Sequence, residues 1–167
     1  LDLYLLRVGG DRAIALTTDP ADDSRAAFSP DGERIAFRSE RDGGGLFVMG
    51  ATGESVRRVT DAGFDPSWSP DGRRLVYATE EVFDPVSRDG NSELWIVEVD
   101  SGGKTLLSSG DAVQPAWSRQ GDRIAYWANT QGQRDLWTVA AAGAEPVVVT
   151  RDAATDWSPE WSPDGRW

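Results

Sequence analysis

A short turn recurs along this chain of 167 residues and sets its period. Ser29-Pro30-Asp31-Gly32 returns as Ser69-Pro70-Asp71-Gly72 and as Ser162-Pro163-Asp164-Gly165, with a degenerate copy, Ser118-Arg119-Gln120-Gly121, between them. An aromatic residue precedes each copy, at Phe28, Trp68, Trp117 and Trp161, so one unit occupies about 40 to 50 residues. Proline presets the backbone at the second turn position, aspartate suits the third, and glycine accepts the positive φ that the turn requires. The degenerate copy loses proline and aspartate but keeps Gly121, which marks glycine as the residue the turn cannot replace.

Each unit reads as four short strands. The first ends at the aromatic before the turn. The second follows it, as Arg34-Ile35-Ala36-Phe37, Arg74-Leu75-Val76-Tyr77 and Arg123-Ile124-Ala125-Tyr126. The third carries another aromatic, in Leu46-Phe47-Val48-Met49, Leu94-Trp95-Ile96-Val97 and Leu136-Trp137-Thr138-Val139, and Leu3-Tyr4-Leu5-Leu6 belongs to the same series. The fourth closes on a hydroxyl, at Thr17, Thr60, Ser108 and Thr150. These runs are β-branched and aromatic, bounded by Gly, Pro, Asp and Ser, and no segment has convincing helical periodicity. The third strand is apolar on both faces, as a sheet covered on both sides requires. The expected fold is therefore all-β: a β-propeller fragment of about four blades of four-stranded antiparallel sheets, three complete and one split between the termini. The expected units are 1–17 (third and fourth strands of the split blade), 18–60, 61–108, 109–150 and 151–167 (a first strand and the start of a second). The chain opens on Leu1 rather than Met and stops where a second strand should begin, so a piece of a longer propeller is expected.

Composition removes most enzyme classes. No cysteine means no disulfide, thiolate nucleophile or Cys-based zinc site, and no histidine removes the usual general base and the commonest metal ligand. Serines are plentiful, but Gly-x-Ser-x-Gly is absent. Adjacent carboxylates such as Asp22-Asp23 and Glu80-Glu81 read as solvated loop charge rather than an acid/base pair. Asp89-Gly90-Asn91-Ser92-Glu93 lacks the spacing of a calcium loop. No catalytic residue, metal site or cofactor is assigned. Asp2, Glu93 and Asp135 each precede a third strand by one residue and should bond local backbone. With 28 acids against 17 bases the formal charge is −11, which argues against nucleic acid as a partner. No apolar run reaches the length of a membrane span, so membrane insertion is not expected.

The residues Trp-Ser-Pro-Asp-Gly, Arg-Ile-Ala-Phe/Tyr, Leu-Trp/Phe-Val and Val-Thr resemble the TolB-type propeller repeat over essentially the whole chain. They do not resemble the true WD repeat, whose blades carry Gly-His and end in Trp-Asp. The resemblance implies a non-enzymatic module that binds a protein or peptide, in the periplasm or outside the cell. Similar propellers are appended to receptor-like kinases, to transcription regulators and to prolyl-oligopeptidase-type peptidases. The alternative implied is thus the propeller of such a peptidase, which would be cytoplasmic, with its catalytic domain elsewhere.

Alternation of antiparallel strands puts the turns after the first and third strands on one face, and the remaining connections on the other. That second face carries the long acidic connections Asp19 to Arg25, Asp61 to Asp65, Ser109 to Gln114 and Arg151 to Asp156, and the irregular insertion Glu80 to Ser92. Varied loops on a rigid scaffold are where recognition usually sits. The candidate binding residues are Asp22, Asp23, Asp65, Gln114 and Asp156 from the connections, and Glu81, Phe83, Asp84 and Arg88 from the insertion. Phe83 is the expected anchor, with folding back onto its own blade as the alternative. The acidity favours a partner that is neutral or basic at the contact. Trp68, Trp95, Trp117, Trp137 and Trp161 occupy repeated positions and should pack between blades, whereas Trp127 and Trp157 stay open between core and surface. Open blade edges make self-association possible.

Overall fold

The computed structural model describes residues 1–85, 88 and 90–165. Among them lie three four-stranded antiparallel sheets and one two-stranded sheet. A short pair comes first, β1 (Tyr4–Leu5) and β2 (Ile14–Ala15). The first sheet is β3 (Asp23–Phe28), β4 (Arg34–Ser39), β5 (Gly45–Gly50) and β6 (Arg57–Arg58). The second is β7 (Phe64–Trp68), β8 (Arg74–Ala78), β9 (Leu94–Glu98) and β10 (Lys104–Ser108). The third is β11 (Val113–Trp117), β12 (Arg123–Thr130), β13 (Gln133–Ala140) and β14 (Val147–Val148). In each, sequence neighbours are spatial neighbours, the meander of a propeller blade. Helical structure among the described residues is one 3₁₀ turn, Arg41–Gly43. The expected start of a second strand at Arg166-Trp167 lies outside the described residues.

The recurring turn works as its chemistry requires. Gly32 N–H donates to the Ser29 carbonyl at 2.8 Å, and Arg34 N–H donates to Ser29 Oγ at 2.9 Å. The Ser29 hydroxyl donates to Asp31 at 2.5 Å, a bond that first among its causes holds this carboxyl below the usual aspartate range. Asp71 repeats this against Ser69. The degenerate copy moves its acid by two positions: the Ser118 hydroxyl donates to Asp122 at 2.9 Å. Gly32, Gly72, Gly121 and Gly165 all have φ between 67° and 82°.

The threonine that closes three of the units also has a physical role. Leu3, Leu46 and Leu136 donate their backbone N–H groups to Thr17, Thr60 and Thr150 Oγ1, each at 3.0 Å. The side chain finishes a ladder that the two-residue strands β2, β6 and β14 leave short. The acids before the third strands do not bond backbone as expected. Asp2 and Asp135 accept from the Thr17 and Thr150 hydroxyls, and Glu93 accepts from the Trp95 indole at 2.8 Å.

Apolar clusters fill the spaces between successive sheets. At each junction the aromatic of one first strand meets the sheet before it. Trp68 donates its indole N–H to the Ala27 carbonyl at 3.0 Å, and Trp161 donates to Ala116 at 2.9 Å. The arginine after each of the first two turns stacks on the next tryptophan, Arg34 over Trp68 and Arg74 over Trp117, both 4.9 Å from the ring centroid. Trp68 and Trp117 are 6% exposed, whereas Phe28, which has only the short β1–β2 pair before it, is 53% exposed. Trp127 is fully buried and Trp157 half exposed. Trp68→Ala and Trp117→Ala should each lower the unfolding free energy by about 3–5 kcal/mol, the cost of deleting a buried aromatic. Urea denaturation checks this; a loss under about 1 kcal/mol for both, the size of an ordinary surface change, would contradict the packing.

Candidate functional site

Four residues at one depth in the repeat have left-handed backbones although none is glycine: Arg25 (φ 54°), Asp65 (51°), Gln114 (49°) and Ser158 (52°). Each stands three residues before the repeat's aromatic. In the three complete sheets it coincides with a register shift between the first two strands, at Ser24/Ala27, Phe64/Ser67 and Val113/Ala116. A bulge re-aims the side chain, and a non-glycine residue held there costs about 1–3 kcal/mol, a strain that gathers where ligands bind. Proline follows in three of the four, at Pro66, Pro115 and Pro159, where its missing N–H suits a broken ladder. The four residues line a cleft of about 810 Å³ between the first strands of successive sheets, toward the end carrying the long connections.

Charge knits this ring to the insertion. Arg25 Nη1 pairs with Asp65 at 3.1 Å, while Nη2 reaches Glu81 at 3.2 Å and the Val82 carbonyl at 3.2 Å. Gln114 Oε1 accepts from the Trp127 indole at 2.7 Å and from the Ser158 hydroxyl at 3.0 Å. Burial pushes the Asp65 carboxyl up, against the pull of Arg25 and with a further push from Glu81. Its Oδ2 is buried without a hydrogen bond.

The insertion lies clamped against the third sheet. Arg88 is 6% exposed and stacks 5.4 Å from the Trp127 ring centroid. Its guanidinium grips Asp111 with both terminal nitrogens and Glu80 at 2.7 Å. Asp111 also accepts the backbone N–H groups of Ser92 (3.1 Å) and Asn129 (2.7 Å). Arg134 Nε donates to the Pro85 carbonyl at 2.6 Å, and Asn129 donates to the Arg88 carbonyl at 3.2 Å. The long hairpin of β12 and β13 supplies Trp127, Asn129 and Arg134, and the connection before β11 supplies Asp111.

The candidates read from sequence therefore separate. Asp65, Glu81 and Gln114 come together at the ring through Arg25, Trp127 and Ser158. Phe83 is 85% exposed at the insertion, so it does not fold back, and Asp84 beside it is exposed. Asp156 lies partly buried near the ring, its N–H on the Arg134 carbonyl at 3.1 Å. Asp22 is exposed. Two do not stand open on the face as loop charges should. Asp23 is buried against Arg41 at 2.6 Å, and Arg88 forms the interior of the clamp. Both sit beside a counter-charge that the linear chain places elsewhere. Arg25 and Ser158 were missed; the recurrence of proline two residues before the aromatic is the signal that points to that level of the repeat. Among the described residues no three acids cluster as metal ligands would.

A family model described as the TolB beta propeller domain matches residues 1–84 and 64–167. An uncharacterized protein of Agrobacterium fabrum is 30% identical over 146 residues, 83% of this chain and 47% of its own length. An uncharacterized peptidase of Bacillus subtilis, YuxL, is 27% identical over 99% of this chain and 24% of its own length. The chain thus spans less than half of these curated relatives. A solved structure of a protein assigned to TolB in Agrobacterium tumefaciens superposes with a TM-score of 0.83 at 28% identity, covering 98% of this chain and 60% of the other.

Asp65 gives a pH test. A carboxyl whose folded pKa is raised favours the folded state as it takes up its proton, so its penalty is present at neutral pH. That penalty fades as pH falls through the raised folded value toward the ordinary aspartate value of about 3.9. The stability of Asp65→Asn relative to wild type should therefore be more favourable at neutral pH than at pH values nearer 4, read from denaturation curves. A difference independent of pH would contradict the buried, raised carboxyl.

Proposed function

The chain belongs to the TolB β-propeller domain family, and we propose that it binds a protein or peptide on the face carrying the insertion and the ring. The observation that carries this reading is Phe83, an 85% exposed aromatic standing on an insertion whose base is fixed by Arg88, Arg134 and Asn129. An aromatic on a rigid base loses little freedom when it enters a partner's pocket, which is what makes such residues binding hot spots. Behind it the cleft at Asp65, Gln114 and Ser158 offers polar groups on backbone that is already strained into place. A formal charge of −11 favours a contact that is neutral or basic. On this reading the domain performs no chemistry, and the periplasm or cell exterior is its place, as in the TolB proteins it resembles.

A second reading has its own support. The similarity to YuxL over 99% of this chain favours a propeller that admits or orients substrate for a separate peptidase domain. There the same face would guide a peptide rather than hold a folded partner.

Affinity measurements on the parent protein with a captured partner test the choice of face. Phe83→Ala should weaken binding by tenfold or more, about 1.4 kcal/mol, and Asp65→Lys should weaken it further at low salt than at high salt. Full binding by both variants, with loss on substituting the exposed Asp71 turn instead, would put the partner on the opposite face. We also propose that the isolated 167-residue chain self-associates through Tyr4, Ile14 and Phe28, apolar groups more than half exposed on the first edge. Light scattering showing a monomer at high concentration would contradict this.

A further inference from the structure

The second and third sheets leave a cleft of about 440 Å³ at their periphery, away from the ring. Its wall includes Trp137, Tyr126, Ser108, Asp111, Thr130 and Glu145. Tyr126 and Trp137 stand opposite one another in the β12–β13 ladder, so their rings lie side by side on one face. The Trp137 indole nitrogen is buried and has no hydrogen-bond partner. The repeat itself shows why. In the second sheet the equivalent Trp95 donates to Glu93, two residues before it. In the third sheet that position is Asp135, one methylene shorter, whose carboxylate accepts from Thr150 instead. Leaving such a donor without an acceptor costs about 1–3 kcal/mol, a cost that an acceptor entering from the cleft would relieve once the side chains covering the N–H give way.

The chemistry of the wall limits what that acceptor belongs to. Among the described residues no lysine or arginine lines the cleft. Glu145 is exposed at its rim, and Asp111 is already engaged by Arg88, Ser92 and Asn129. An anion would find no counter-charge there. Burial and the nearby Asp111 charge push the Tyr126 phenol up to about 12, against a bond with Ser108 that pulls the other way, so it is a neutral hydroxyl at physiological pH. An indole ring, hydroxyls at Ser108, Ser109 and Thr130, one buried donor without a partner and the exposed Glu145 carboxylate suit an uncharged ring bearing hydroxyl groups. The volume falls in the range of small-ligand sites, about 300–1,000 Å³. We propose that this cleft binds a neutral saccharide of one or two units, with a sugar oxygen accepting from Trp137 and a sugar hydroxyl donating to Glu145. This site shares Ser109, Gly110 and Asp111 with a connection of the protein-binding face but includes neither Phe83 nor the ring, and it does not rest on the protein-binding reading.

The test is NMR of the 167-residue chain with ¹⁵N-labelled tryptophan. The probes are maltose, lactose and N,N′-diacetylchitobiose at about 10 mM, enough to saturate a millimolar site, with galacturonic acid as the charged control. At least one neutral disaccharide should shift the Trp137 indole resonance saturably, and galacturonic acid should not. Trp137→Phe keeps a ring but removes the donor and should weaken binding about three- to tenfold. Asp135→Glu supplies the acceptor present in the second sheet; it should move the indole resonance without sugar and weaken sugar binding. Glu145→Gln, at an exposed turn, should also weaken binding with the fold unchanged, while Phe83→Ala should leave it as it was. No shift with any neutral probe, equal affinity in Trp137→Phe and Glu145→Gln, or equal response to galacturonic acid would overturn the proposal.

Discussion

One interaction sets the arrangement of the sheets: the aromatic at the end of each first strand, pressed into the sheet before it. Trp68 and Trp161 reach back with indole N–H groups to carbonyls of the preceding first strand, and Arg34 and Arg74 cover Trp68 and Trp117. A two-faced sheet cannot bury both sides alone, so each needs its neighbour. At Trp68 and Trp161 the indole makes that contact directional, whereas Trp117 packs equally deep with its N–H on the Gly121 carbonyl of its own turn. Because every junction uses the same level of the repeat, the first strands align. Their bulges then fall side by side, and the cleft at Arg25, Asp65, Gln114 and Ser158 is the result.

The fold was legible because its determinants are local and repeated. Gly32, Gly72 and Gly121 took the positive φ that their turn implied, and the aromatic and β-branched runs formed the expected strands. The site was less legible because it depends on pairing across the repeat. Nothing near Arg88 in sequence says that Asp111 will close on it from the next sheet. Asp23 looks like loop charge until Arg41 folds over it. The fate of Trp127 was open for the same reason: the residues that enclose it, Gln114 and Arg88, lie well away along the chain. Phe83 was legible by contrast, as an aromatic with no place in the repeat.

The departures from the repeat carry the specific chemistry. Where the copies agree, they build the scaffold. Where Glu93 becomes Asp135, an indole loses its acceptor. Where the short connection between second and third strands becomes the Glu80–Ser92 insertion, an aromatic is lifted onto a face. Family membership explains what the copies share, and fold alone does not assign function. The unshared residues are where function has to be sought.

The insertion has an effect beyond the surface it presents. A chain of stacked repeats behaves as a one-dimensional array in which each unit senses only its immediate neighbours, so end units can melt while the middle stays folded. Here Arg25 of the first sheet bonds Glu81 and Val82 at the start of the second sheet's insertion. At the insertion's other end, Arg88 bonds Asp111 on the connection entering the third sheet. The first and third sheets are thereby both tied to one segment of the second. Each tie is a nearest-neighbour contact, and strengthening the interfaces relative to the single sheets favours melting of the array as a block over fraying from its ends.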